Sequence, residues 1–133
     1  MCSAFVFIFE QQAGVYTPVC WIGDVIDYDE TPNNTPQIFA LEDINRDGYI
    51  EVMLSEFRCG AKTCFTTMHI VNWNGRECSK LGTFGGEMAE ISLVDDNYDG
   101  IREVHIHFAQ KGMTDIYVLG ESQYEFLQSI SEK

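Results

Sequence analysis

The sequence predicts an all-β chain built from antiparallel four-stranded units, about two and a half of them. Three observations predict it. One segment recurs 52 residues further on. Short apolar stretches alternate with a period of two between turn residues, and no segment sustains helical periodicity.

The repeat is read directly. Asp43, Asn45, Asp47, Gly48, Glu51 and Val52 recur as Asp95, Asn97, Asp99, Gly100, Glu103 and Val104, in register. Each acidic loop lies between two strand-like segments. Upstream are Gln37 to Leu41 and Ala89 to Val94; downstream are Tyr49 to Phe57 and Ile101 to Phe108. In the last of these Ile101, Glu103, His105 and His107 alternate with Arg102, Val104, Ile106 and Phe108, the period of a half-buried strand. A second hairpin follows each loop unit. Thr66 to Trp73 turns at Asn74-Gly75 into Glu77 to Leu81, and Thr114 to Leu119 turns at Gly120-Glu121 into Gln123 to Leu127. Ala4 to Phe9, a turn over Gln11 to Gly14, and Val15 to Trp21 read as the same hairpin without its acidic partner. One all-β repeat domain over residues 1–133 results, with a half unit at 1–23 and full units at 37–82 and 89–128. Asp24 to Pro36 reads as a solvated acidic linker, and Gly85 to Met88 as one turn at most.

Composition narrows the function. At 133 residues the chain has room for one domain and one core. Eight basic against 21 acidic residues give a net charge of −13, which repels phosphate backbones and anionic lipids and attracts cations. Nucleic acid is therefore not an expected partner. The longest apolar run, Ala4 to Phe9, is far short of the roughly 20 residues of a membrane-spanning helix, so no transmembrane segment is expected. Met1-Cys2-Ser3 lacks the basic start of a signal peptide; either there is no export signal or the chain is a mature or excised piece. No phosphate loop, dinucleotide fingerprint or nucleophile elbow occurs, and no enzyme is expected.

The acidic loops are the candidate sites. Positions one, three, five and nine carry oxygen side chains: Asp43, Asn45, Asp47 and Glu51 in one, Asp95, Asn97, Asp99 and Glu103 in the other. Glycine at position six turns the loop back, so alternate side chains converge, and the carbonyl at position seven, Tyr49 or Ile101, can join them. About six oxygen donors with three carboxylates suit calcium. Zinc would want His or Cys, and magnesium fewer protein ligands. Two Ca²⁺ sites are expected.

Strand, Asp-x-Asn-x-Asp-Gly-x-x-Glu, strand and hairpin resemble the FG-GAP/VCBS repeat, the integrin-type β-propeller blade with its calcium loop between the first two strands. The resemblance spans roughly Gln37 to Leu127, and the first 23 residues are similar to the end of a preceding blade. It implies propeller-type blades, with Asp43, Asn45, Asp47, the Tyr49 carbonyl and Glu51 on one ion. Asp95, Asn97, Asp99, the Ile101 carbonyl and Glu103 would hold the other. Two features depart from the family pattern: Glu stands for the usual last Asp and Asn for the usual Asp at position three. Phe84-Gly85-Gly86 only partly echoes the family's Phe-Gly-Gly-Ala-Pro signature. Phe57 to Thr67 is similar to a segment of extracellular bacterial members, which implies an extracellular or cell-surface location.

A closed propeller needs about four to eight blades, so two and a half do not close alone. Self-association, as ring or filament, or neighbouring blades of a longer chain are the expected partners. The expected role is structural, adhesive or self-assembling; the alternative is a calcium-dependent carbohydrate- or peptide-binding module. Five cysteines leave one over. Cys59 and Cys64 flank a short return and are expected to bridge; Cys20 and Cys78, on last strands of successive units, are a second candidate pair, with Cys2 the odd one. His69, His105 and His107 read as strand histidines, because no third metal ligand lies near the His-x-His pair. Phe5, Phe7, Phe9, Trp21, Trp73, Tyr117, Tyr124 and Phe126 read mostly as core between sheets.

Overall fold

A computed structural model describes residues 2–28, 35–59 and 62–132. The described residues form ten antiparallel strands and no helix: β1 (Cys2–Gln12), β2 (Val15–Tyr28), β3 (Thr35–Glu42), β4 (Glu51–Cys59), β5 (Cys64–Trp73), β6 (Cys78–Glu87), β7 (Ala89–Val94), β8 (Glu103–Phe108), β9 (Met113–Leu119) and β10 (Tyr124–Ser131). They fall into a β1–β2 hairpin and two four-stranded meanders, β3–β4–β5–β6 and β7–β8–β9–β10. No sheet closes into a barrel.

Layering follows from alternation along the strands. Neighbouring residues of a strand face opposite ways. Met53 and Ile70 point from the middle sheet towards β7–β10, where they join Met68, Leu81, Phe84, Val104, Ile106 and Tyr124. Leu54 and Val71, one residue on in each strand, point towards the hairpin and pack with Cys20, Ile8, Val19 and Trp73. The single expected core is thus two, one on each face of the middle sheet. Phe84 anchors the larger one, edge-on to Tyr117 and Tyr124 at centroid distances of 5.0 and 5.9 Å. Phe7, Phe9 and Phe126 do not fit the core expectation: each is more than half exposed. They sit on strands with few sheet neighbours. The side chains of Phe5 and Trp21 lie outside the described residues.

Strand limits depart from the sequence reading in two places. β2 runs to Tyr28, with Ile26 and Tyr28 opposite Ala4 and Cys2. Most of the expected Asp24 to Pro36 linker is therefore strand or, at 29–34 with Asp29 and Glu30, outside the described residues. The start of β1 needs ladder partners for its backbone groups, and Ile26, Asp27 and Tyr28 supply them. β6 continues through Gly85 and Gly86 to Glu87, opposite Thr67, Thr66 and Phe65, where one turn was expected. Glycine serves contact here: a Cβ on Gly85 would strike the Thr66 carbonyl oxygen, and one on Gly86 would sit 2.5 Å from the Phe108 ring.

The expected Cys59–Cys64 disulfide is present, and so is the candidate Cys20–Cys78 pair. Cys20–Cys78 ties the hairpin to the middle sheet, and Cys59–Cys64 joins the facing ends of β4 and β5. Two bridges indicate an oxidising environment. Cys2 opens β1, and its side chain lies outside the described residues.

Candidate metal centres

Each acidic loop links the first two strands of a four-stranded sheet, the first loop (43–51) between β3 and β4 and the second (95–103) between β7 and β8. Their backbones match. Position four is left-handed in both, Arg46 at φ 62° and Tyr98 at 59°, and position six follows at 89° for Gly48 and 85° for Gly100. A β-branched or bulky residue strains in that region, whereas Gly adopts it freely.

Side chains then fold the loop around themselves. Asp43 accepts hydrogen bonds from the amides of Asp47 (3.2 Å) and Gly48 (3.0 Å), and Asn45 Oδ1 accepts from Asp47 N at 3.2 Å. Asp47 Oδ1 accepts from Tyr49 N at 2.8 Å, and Glu51 Oε2 from Ile44 N at 2.7 Å. The second loop repeats every one of these. Asp95 takes the amides of Asp99 (3.2 Å) and Gly100 (2.9 Å), Asn97 Oδ1 that of Asp99 (3.1 Å), Asp99 that of Ile101 (2.8 Å), and Glu103 that of Asp96 (2.7 Å).

The result brings together Asp43, Asp47 and Glu51, and likewise Asp95, Asp99 and Glu103, each set with one ligand oxygen per residue within 4.8 Å of the others. Either triad could hold a metal ion. Asn45 and Asn97 are bound into the loop beside the carboxylates; Tyr49 and Ile101, expected to offer carbonyls, are tied in by their amide nitrogens. Among the described residues no histidine joins a metal-ligating group.

Electrostatics favour a cation. Two unit charges 4 Å apart near a protein surface repel by about 4 kcal/mol. Glu51 is wholly buried, and its second oxygen, Oε1, has no hydrogen-bond partner among the described residues. Burial first, then the charges of Asp47 and Asp43, push its carboxyl up to about 7 against the pull of the Ile44 amide. A buried, partnerless carboxylate oxygen beside two more carboxylates fits a hard, oxygen-seeking cation.

The two loops also touch. Arg46 Nη1 donates to the Asp99 carbonyl at 2.7 Å, Arg102 N donates to the Ile44 carbonyl at 2.9 Å, and the Arg102 guanidinium pairs with Glu42 at 2.8 Å. Tyr124, buried beneath them, donates to the Arg102 carbonyl at 2.8 Å. Burial and then Glu51 and Glu103 raise its phenol pKa well above the usual range, so it stays a donor.

The histidines go elsewhere. His105 Nε2 meets Asp96 Oδ2 at 2.6 Å, a pair the sequence reading missed although the hairpin brings position two of the loop back beside β8. His107 Nδ1 lies 3.1 Å from Thr114 Oγ1 and 3.4 Å from Glu132. His69, buried in β5, faces Thr83 at 3.1 Å; burial, and then Lys80, lower its pKa to about 4, which holds it neutral. Compared with protein-family models, with curated proteins and with solved structures, the chain matches none.

Proposed function

We propose that both loops bind calcium and that the chain is an extracellular, calcium-stabilised repeat protein of propeller-type blades, similar to FG-GAP/VCBS repeats. Its role on this reading is structural, adhesive or self-assembling, not catalytic. The observation that carries it is the buried Glu51 carboxylate with one oxygen unpartnered, set in a loop whose hydrogen-bond pattern occurs twice. Calcium suits it better than magnesium, which demands tighter octahedral geometry and keeps its waters. Because the ligands come from both ends of each loop, ion binding becomes folding free energy.

Exposed apolar side chains on edge strands support association. Ile38, Phe39 and Leu41 on β3 and Phe126, Leu127 and Ile130 on β10 are 44–63% exposed. Such edges need cover, which we assign to further blades, from a longer chain or from other copies.

Calorimetry with added Ca²⁺, Mg²⁺ or chelator tests the ion. Saturating calcium is expected to raise Tm by roughly 10 °C over chelator, with Mg²⁺ giving much less. Unchanged melting in excess chelator would remove the ion from this reading. A monomer by light scattering at micromolar concentration in calcium would remove self-assembly.

A further inference from the structure

Beside the first loop lies a cleft of about 390 Å³, walled by that loop, the β5–β6 turn and the β9–β10 turn. That is the size of ordinary small-ligand sites. We propose that it binds a primary ammonium or guanidinium group, carried by a small amine or by a basic side chain of a partner.

Three observations converge on that chemistry. First, Asn72 lines the cleft, is only 6% exposed, and its Oδ1 has no hydrogen-bond partner among the described residues. A buried acceptor left unpaired is destabilising, and an N–H donor would relieve that. Second, Glu77 and Glu121 stand on facing turns of the cleft, and neither makes an ion pair among the described residues. Asn74 Oδ1 accepts from the amides of Arg76 and Glu77, both at 2.9 Å, and so fixes the turn that presents Glu77. Third, among the described residues no Lys, Arg, His or aromatic residue lines the cleft. Nothing cationic neutralises the carboxylates, and no ring offers the stacking face that would favour a sugar. A group with several N–H donors and a positive charge answers all three. Charge-assisted hydrogen bonds to carboxylates are roughly twice as strong as neutral ones.

Asn45 and Asp47, both in the proposed calcium shell, also line the cleft, but Asn72, Glu77 and Glu121 lie outside that shell. The inference therefore goes beyond the calcium reading and stands whatever fills the loop. It is tested by calorimetric titration of the full chain at about 0.15 M salt, where diffuse attraction is screened beyond roughly 8 Å. The probes are spermidine, an end-blocked lysine tetrapeptide and glucose, each run in calcium and in chelator. Saturable one-site binding of either amine supports the proposal. Spermidine alone points to a free amine, and the peptide alone to a protein partner. The double variant E77Q/E121Q is expected to weaken binding at least about tenfold, while E87Q/E90Q, the same charge change at the far end of the sheets, weakens it less than about twofold. Equal losses in the two variants would show diffuse charge only and overturn the site. So would preferential glucose binding, no saturation at about 10 mM, or binding that calcium abolishes, since the amine would then merely be occupying the ion loop. Unchanged amine binding with no calcium effect on melting would sink the ion reading alone.

Discussion

The two acidic loops lay down the same hydrogen bonds but stand in different surroundings. At position two the first loop has Ile44, fully buried in the core between the sheets, while the second has Asp96, exposed and paired with His105. Position nine differs too: Glu51 is wholly buried with a partnerless oxygen, whereas Glu103 keeps 7% of its surface. Position four carries Arg46, which reaches across to the second loop, against Tyr98, which is 92% exposed. A ligand pattern sets the shape of a loop, and its neighbours set how much the fold depends on that loop being filled.

If so, removing the ninth-position carboxylate should matter unequally. In saturating calcium, Glu51→Ala is expected to lower stability by about 3–5 kcal/mol, because it loses a proposed ion ligand, leaves a cavity and strips the Ile44 amide of its acceptor. Glu103→Ala should lower it by about 1–2 kcal/mol. Urea unfolding measures both, and equal losses would break the comparison.

The pH dependence sharpens it. In chelator, the Glu51 pKa is raised from 4.5 to about 7, so the folded state holds its proton more tightly. Its contribution is fully present below about 4.5 and is lost as pH rises through about 7, by up to about 3 kcal/mol. On the calcium proposal the ion binds the ionised form and should abolish that fall. His69 tilts the curve the other way: its pKa is lowered, so its contribution is present above about 6.5 and lost as pH falls towards 4. Glu51→Gln removes the first slope and leaves the second. Melting curves of both proteins in chelator from pH 4 to 8 check this, and a slope that survives the substitution would count against the buried carboxylate as its source.

The smallest effect concerns position four. Arg46→Ala is expected to destabilise by about 1 kcal/mol through the lost hydrogen bond to Asp99, and Tyr98→Ala to stay within about 0.5 kcal/mol. Thermal unfolding resolves the difference, and reversal of that order would contradict the contact between loops.

The acidic triads and the three-part strand layout were legible because they rest on local patterns. Asp, Asn, Asp, Gly and Glu at fixed spacing dictate a loop, and alternation dictates strands. What stayed hidden depends on contacts between segments far apart in sequence. Asp96 gives no sign of meeting His105 until the hairpin is closed, and nothing in Gly85-Gly86 announces that Thr66 and Phe108 press against them. The exposure of Phe7 and Phe9 was equally hidden, since apolar alternation marks a face but not what covers it. Two cores arose in place of one because the middle sheet buries apolar side chains on both sides, and a mostly apolar stretch such as Met68 to Val71, broken only by His69, reads the same whether one face or two is covered.

That double-sided strand has a further consequence. Strands are normally kept in alignment by polarity: a shift of one residue would turn oily groups to water. β5 has little of this safeguard, for sliding it by one would exchange Met68, Ile70 and Asn72 with His69, Val71 and Trp73, two apolar residues and one polar in each set. The Cys59–Cys64 bond, between residues that face each other across the ladder, locks the offset covalently. Beyond adding rigidity, that cross-link selects one alignment from several that water alone would scarcely tell apart.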